Sequence, residues 1–432
     1  MKRKAWIAVG LGAVLLGAGV TLTGCGDSST DNGKIQIEMV QYKQEAVKAF
    51  EQMEEKFNAT HDDIELTIES PNDAMTILKT RFIKEDQPDI IGIGGDINYS
   101  NFLDSEMLMD ISDFDGLEDV KQSYKDILEN LEFVPTEGTY AVPYVANAAG
   151  ILYNKDMFEE NGWEIPTTWD EFLTLLDTIQ ASGQQPLYFG FKDSWTCLAP
   201  WNAMACDLAD ADVCQQVNRG EATFSEAYRE VAEKIIQLLP YAQDDPVAYS
   251  YNDACTAFAR GESAMYCIGS YAVPQILSVN PDMNIDSFVF PAHDEADGQI
   301  LNSGVDLLFA VMEDCENKEA AYEVLRFMME DETIQIYLDD QNAIPCKEGE
   351  FTLPSQLDGM TEYIEADKMV DYQDHHYPSE MAVDAMIQTY LMDGDTDAFL
   401  EKFDTEWQRY NRDLIRKVQQ YEEEHGEGGN ES

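Results

Sequence analysis

The chain has 432 residues with 84 acidic against 27 basic side chains, a formal net charge of −57. So acidic a surface repels phosphate backbones and anionic headgroups, which excludes nucleic acid as a partner and a basic patch as a means of holding a membrane. Its 44% hydrophobic content supports large cores and more than one lobe, and rules out a disordered chain.

In chain order, Lys2, Arg3 and Lys4 precede an apolar stretch from Ala5 to Val20 and the run Leu22-Thr23-Gly24-Cys25. This pattern reads as a lipoprotein signal peptide over residues 1–24, cut before Cys25. A transmembrane helix is the weaker reading, because the stretch is rich in Gly and Ala and ends in a cleavage-type sequence. The Cys25 thiol then carries a lipid, and palmitate-type acylation anchors the chain to the outer face of the cell membrane. Residues 25–33 form a lipidated flexible tether, and residues 426–432 a disordered tail.

Ile35, Ile37 and Met39 alternate with polar residues and predict a strand; Ala46, Phe50, Met53 and Phe57 predict an amphipathic helix after it. The pattern repeats with a strand at Ile64, Leu66 and Ile68, a helix over Ala74, Ile77, Leu78 and Phe82, and a buried strand over Asp89-Ile90-Ile91-Gly92-Ile93. A βαβαβ order implies a parallel, doubly wound sheet with ligands beyond the carboxyl ends of its strands. Those ends carry Tyr42, Asp96 and Tyr99 and lack a phosphate-cradling glycine motif.

A second lobe opens near Pro143, with a strand at Ile151-Leu152-Tyr153 and a helix from Asp156 to Asn161. Thr168 and Glu171 form a capping-box pattern ahead of Phe172, Leu175, Leu176 and Ile179. A strand over Pro186–Phe189, helices near 195–206 and 225–239, strands over 264–268, 285–290 and 305–312, a helix over 318–330 and a long helical tail over 361–424 complete the pattern. Beyond Cys25 seven cysteines remain, none in a CxxC pair; they read as buried thiols, with one bridge, Cys206 to Cys214, left open. His375-His376, with Asp371 and Asp374 nearby, reads as a solvated polar turn rather than a metal site, since adjacent histidines on a regular element point apart.

Several segments in this order resemble the extracellular solute-binding proteins of bacterial ABC importers, the branch similar to maltose- and raffinose-binding proteins. They are Asp73 to Thr80 with Gln87-Pro88-Asp89-Ile90, Gly138 to Tyr144, Ile151 to Phe158, Asn161 to Phe172, Phe258 to Met265, and Gly269-Ser270-Tyr271. The resemblance implies a periplasmic-binding-protein-like fold, two doubly wound α/β lobes joined by a hinge. Lobe one then holds residues 34–140 with 269–312, and lobe two 141–268 with 313–425. It also implies a carbohydrate ligand, an oligosaccharide, in the interlobe cleft, delivery to the transmembrane subunits of an ABC permease, a monomer, and no catalysis or cofactor.

Sugar rings need flat aromatic partners for their C–H faces and Asp, Asn or Ser for their hydroxyls. Trp195, Trp201 and Tyr271 are the stacking candidates, with Tyr42, Tyr99 and Tyr144 in reserve; Asp96, Asn147, Ser270 and Asp306 are the polar ones. Trp163 and Trp169 read as packing anchors at a helix start. A glycoside hydrolase remains an alternative, because two carboxylates suffice for that chemistry and are abundant. A polysaccharide-capture surface protein without a transporter is a second alternative.

Overall fold

The computed structural model describes residues 33–425, so the signal peptide, Cys25, most of the tether and the tail lie outside the described residues. Nine strands form one hydrogen-bonded system: β1 (Ile35–Gln41), β2 (Ile64–Glu69), β3 (Ile90–Ile93), β4 (Val142–Asn154), β5 (Met265–Gly269), β6 (Ile285–Phe288), β7 (Leu301–Val311), β8 (Ile344–Pro345) and β9 (Met369–Val370). The predicted parallel winding holds where it was read, since β1 pairs in parallel with both β2 and β3. Helices α1 (Val47–Thr60) and α2 (Ala74–Ile83) are the crossovers, and α1 buries the predicted stripe of Phe50, Met53 and Phe57. Past β3 the sheet turns antiparallel, through β7 to β4 and on to β5 and β6.

The strands β4 and β7 are longer than their apolar periodicity announced, because each serves two lobes. The first part of β4, to Ala149, pairs with β7, and its last part, from Ile151, pairs with β5 and β6. Two principal cores result. One gathers Ile37, Phe50, Ile91, Tyr144 and Phe309, and the other Phe172, Trp201, Tyr228, Phe403 and Trp407. The structure therefore has two α/β lobes. Among the described residues the chain passes between these cores three times: within β4, between Ala292 and Leu301, and between Met369 and Tyr377.

This membership corrects the expected partition. Ala141 to Ala148 pack in the first core, while Ala272, Ile276, Phe288 and Ala292 pack with the second lobe. Residues such as Leu325, Tyr337, Ile344 and Met360, expected in lobe two, belong to the first core. The cause is the direction of β7, which runs antiparallel to β3 and delivers the chain into the first lobe, where the helix Lys318–Met328 packs on β1 and β7. Only the three last helices, Val383–Asp393, Thr396–Tyr410 and Arg412–His425, return to lobe two.

Two other expectations change. Pro186–Phe189 forms no ladder strand: Leu187 makes a single bridge to Met265, and the side chain of Gln243 takes both backbone groups of Phe189, accepting its N–H at 2.9 Å and donating to its C=O at 2.6 Å. The helical tail is interrupted by β9, by the turn over Gln373–His376 and by Gly394 in a left-handed conformation (φ +71°). Thr168 does cap its helix, accepting from Glu171 N at 3.3 Å, but Glu171 reaches back to Thr167 rather than to the cap residue itself. Trp169 is buried against Phe290 and Trp163 packs edge-on to Phe158, both as anchors. All seven cysteines in the described residues are free, six of them buried, so the bridge between Cys206 and Cys214 is not formed. Among the described residues no helix is long and apolar enough to cross a membrane.

Candidate functional site

Between the lobes lies an open cleft of about 930 Å³. Four of the seven ligand candidates line it: Asn147 on β4, Asp306 on β7, and Trp195 and Tyr271 from the second lobe. The turn after β1 adds Lys43, and the helix Tyr251–Ala259 adds Tyr251 at its first position.

The polar wall is fixed by its own hydrogen bonds. The Asp306 carboxylate accepts from Lys43 Nζ at 3.1 Å and from Asn147 Nδ2 at 3.0 Å, while Tyr42 donates its hydroxyl to the Asp306 backbone carbonyl at 2.5 Å. Lys43 also meets Glu45 at 2.8 Å. Burial alone would lower the Lys43 ammonium, but Asp306 outweighs it and raises its pKa well above the usual lysine range. Asn147 leaves its Oδ1 buried without a partner among the described residues, an acceptor held beside the cleft. Such preset donors and acceptors lose little entropy when a ligand meets them.

The facing wall is aromatic. Trp195 is 42% exposed, with its ring centroid 5.0 Å from that of Tyr251 and 6.2 Å from that of Tyr271. Tyr271 folds back over Gly269, where a Cβ would stand 2.2 Å from its ring, so the glycine is needed to place it.

A second polar group stands beside this cleft and was read from sequence as a solvated turn. The structure corrects that in part: Asp371 is 8% and Gln373 1% exposed, on the third passage between the lobes, while Asp374, His375 and His376 are half-buried. His375 Nδ1 bonds Asp371 Oδ1 at 2.8 Å, and Asp374 accepts from Asn202 Nδ2 at 2.7 Å. Gly304 on β7 makes room for them, since a Cβ there would lie 2.4 Å from Asp371 and 2.7 Å from the His375 ring. Burial would lower the His375 imidazole; the carboxylates of Asp371, Asp374 and Asp96 outweigh it and raise it to about 10. Burial pushes Asp96 and Asp374 up in turn, with His375 opposing, and pushes His376 down to about 4. Among the described residues no group of three or more His, Cys, Asp or Glu is arranged to hold a metal ion.

The remaining candidates stand elsewhere. Trp201 is 0% exposed in the second core, packed edge-on to Tyr228 and Phe399 with its indole N–H donated to Tyr377, so it has no surface for a ligand. Ser270 is buried, accepting the Ala148 N–H at 3.3 Å, and joins the two lobes' backbones rather than the cleft. Asp96 caps helix α3 (Ile97–Asp104) through Asn98 N at 2.8 Å, next to the His375 cluster. Tyr144 lies in the first core, and Tyr99 lines a different cavity. Sequence reasoning missed Lys43 and Tyr251 among the residues that line the cleft. Lys43 carried a usable signal, since it sits two residues beyond the carboxyl end of β1.

Residues 36–335 match the family described as bacterial extracellular solute-binding protein, and the chain belongs to that family. Among similar proteins, a multiple sugar-binding protein of Streptococcus mutans is 26% identical over 89% of this chain and 92% of that one. RafE solved in complex with raffinose superposes with a TM-score of 0.74 at 26% identity, covering 89% of this chain and 100% of that one. The apo form of RafE from Streptococcus pneumoniae gives a TM-score of 0.77 over 90% and 98% of the two chains. The two lobes are those of the periplasmic-binding-protein-like fold, and the chain is a solute-binding protein, not an enzyme.

Proposed function

We propose that this protein is the lipid-anchored, extracellular receptor of an ABC importer, which captures an oligosaccharide between its lobes and hands it to the permease. The observation that carries the ligand class is the pairing of two unlike walls: the rings of Trp195, Tyr251 and Tyr271 opposite the fixed Asp306, Asn147 and Lys43 groups. A sugar presents apolar C–H faces and in-plane hydroxyls, and this cleft offers a partner for each. The similarity to the raffinose complex of RafE supports the same reading. A ligand touching both lobes favours their approach because it binds that arrangement better than any wider one.

The test is a thermal-shift series with mono-, di- and trisaccharides. A ligand at 100 times its dissociation constant adds about 2.7 kcal/mol of stability. A protein stabilised by no sugar, but by amino acids or peptides, ends the carbohydrate reading. Lipid anchoring at Cys25 is tested separately: Cys25→Ser abolishes incorporation of labelled palmitate, and label retained in that variant refutes the anchor.

A further inference from the structure

Both lobes also line a second cavity, of about 530 Å³, which shares no lining residue with the cleft of Trp195 and Tyr271. Lobe one supplies Asn98 and Asn101 from α3. Lobe two supplies Ser379, with Tyr410 and Asn411 from the junction of the helices Thr396–Tyr410 and Arg412–His425.

Asn411 is 5% exposed and lines this cavity, and among the described residues its Nδ2 has no hydrogen-bond partner. A buried amide N–H left unmade costs free energy that a ligand acceptor would recover. Beside it the Tyr410 ring, backed by the Arg409 guanidinium 5.0 Å from its centroid, stays 39% exposed. The charged lining cancels. Asp104 pairs with Lys417 and Asp413 with Arg412 and Arg416, which leaves one lysine, Lys79, against one carboxylate, Glu380. In so acidic a chain, a charge-balanced cavity of amides, a hydroxyl and an aromatic ring suits a neutral, polyhydroxylated ligand.

A row of fixed polar groups links the cavity to the cleft. Tyr42 donates to the Asp306 carbonyl on the cleft wall, and a Cβ on Gly94 would stand 3.3 Å from both the Tyr42 hydroxyl and Asp96 Oδ2. Asp96 Oδ1 in turn accepts the side-chain amide of Asn98 at 2.9 Å, and Asn98 lines the second cavity. We propose, resting on the carbohydrate reading above, that this cavity is a distal subsite for the same oligosaccharide. Units held beside Trp195 continue past Asp96 into it, where a sugar ring lies on Tyr410 and Asn411 Nδ2 donates to one of its oxygens. Asn98 and Asn101 meet the remaining hydroxyls, and affinity grows with the length of the ligand.

The experiment titrates the whole mature chain by calorimetry with three series of graded length: maltose to maltohexaose, xylobiose to xylohexaose, and sucrose, raffinose and stachyose. Within a series that binds, affinity is expected to rise about tenfold or more from the shortest member to the longest. Tyr410→Ala and Asn411→Leu are expected to shrink that ratio to about threefold or less, whereas Trp195→Ala weakens every member. The unfolding midpoint of each variant checks its folding, and Asn101→Ala, at an exposed position, is expected to reduce the same ratio without touching the core. Affinity independent of length, or losses in folded Tyr410→Ala and Asn101→Ala that fall equally on short and long members, overturns the subsite and leaves the carbohydrate reading standing. Binding of no member of any series overturns the subsite together with the reading it rests on.

Discussion

Lys43 and Asp306, 263 positions apart in sequence, meet at 3.0 Å where the turn after β1 faces strand β7, with only 12% and 14% of their side chains exposed. The pair fixes one wall of the cleft. Removing the carboxylate leaves a largely buried ammonium with the half-exposed Glu45 as its remaining partner, so the cost falls below the about 3–5 kcal/mol of an uncompensated buried charge. Asp306→Ala should therefore lower the unfolding midpoint and reduce sugar affinity at least tenfold. Affinity retained in a folded Asp306→Ala protein would take this residue out of the site.

The two tryptophans of the second lobe separate binding from folding. Trp195→Ala, at an exposed ring, should leave the unfolding midpoint nearly unchanged and abolish most ligand binding. Trp201→Ala opens a core cavity and should cost about 3–5 kcal/mol. Calorimetry and titration on the same preparations distinguish them; a destabilised Trp195→Ala with normal affinity would reverse the assignment.

The adjacent histidines give stability a two-sided pH dependence. His375 is raised to about 10 by its carboxylates, against burial, so its contribution is complete below the ordinary histidine range near 6.5 and is lost as pH climbs towards 10. His376 is lowered to about 4 by burial; the unfolded chain then binds the extra proton, and stability falls as pH drops from about 6.5 towards 4. Denaturant titrations at pH 5, 6.5 and 9 should show His375→Gln flattening the alkaline side and His376→Gln the acid side. Identical profiles for wild type and both variants would contradict the assignment.

Across the rim, Lys417 pairs with Asp104 and the Gln215 amide bonds the Asn130 carbonyl, each joining one lobe to the other. Exposed pairs of this kind contribute about 0.2–1 kcal/mol. Lys417→Ala should thus weaken ligand binding by no more than about fivefold, by loosening the approach of the lobes. A tenfold gain in affinity would show that these contacts oppose ligand capture.

Ligand hydroxyls, not ion pairs, should carry the binding free energy, so affinity should vary little between low and moderate salt. A steep decline with salt would identify a charged solute instead.

The first three strands and both crossover helices were legible because their apolar periodicity is local. Trp195, Tyr271, Asn147 and Asp306 were legible as a chemical type, and they share one cleft. Trp201 was not separable from Trp195 by sequence, because both precede or open the same helix, and the packing of Tyr228 and Phe399, both distant in the chain, buries one of them. His375 and Asp371 looked solvated for the converse reason: a charged turn has the composition of a surface, and its burial depends on Gly304 of β7, far away in sequence. The lobe exchange was hidden likewise, since no local pattern tells a helix which of two cores it will join.

The threefold passage between the lobes makes the molecule tolerant of being cut. Residues 294–297, on the second passage, are exposed, so a protease that nicks the chain there leaves β4 and the segment 369–377 still spanning the hinge. Both fragments then contribute strands to the same sheet, β7 lying hydrogen-bonded between β3 and β4. A chain clipped there is expected to keep its two lobes together by its own weave, its two pieces parting when the sheet itself unfolds.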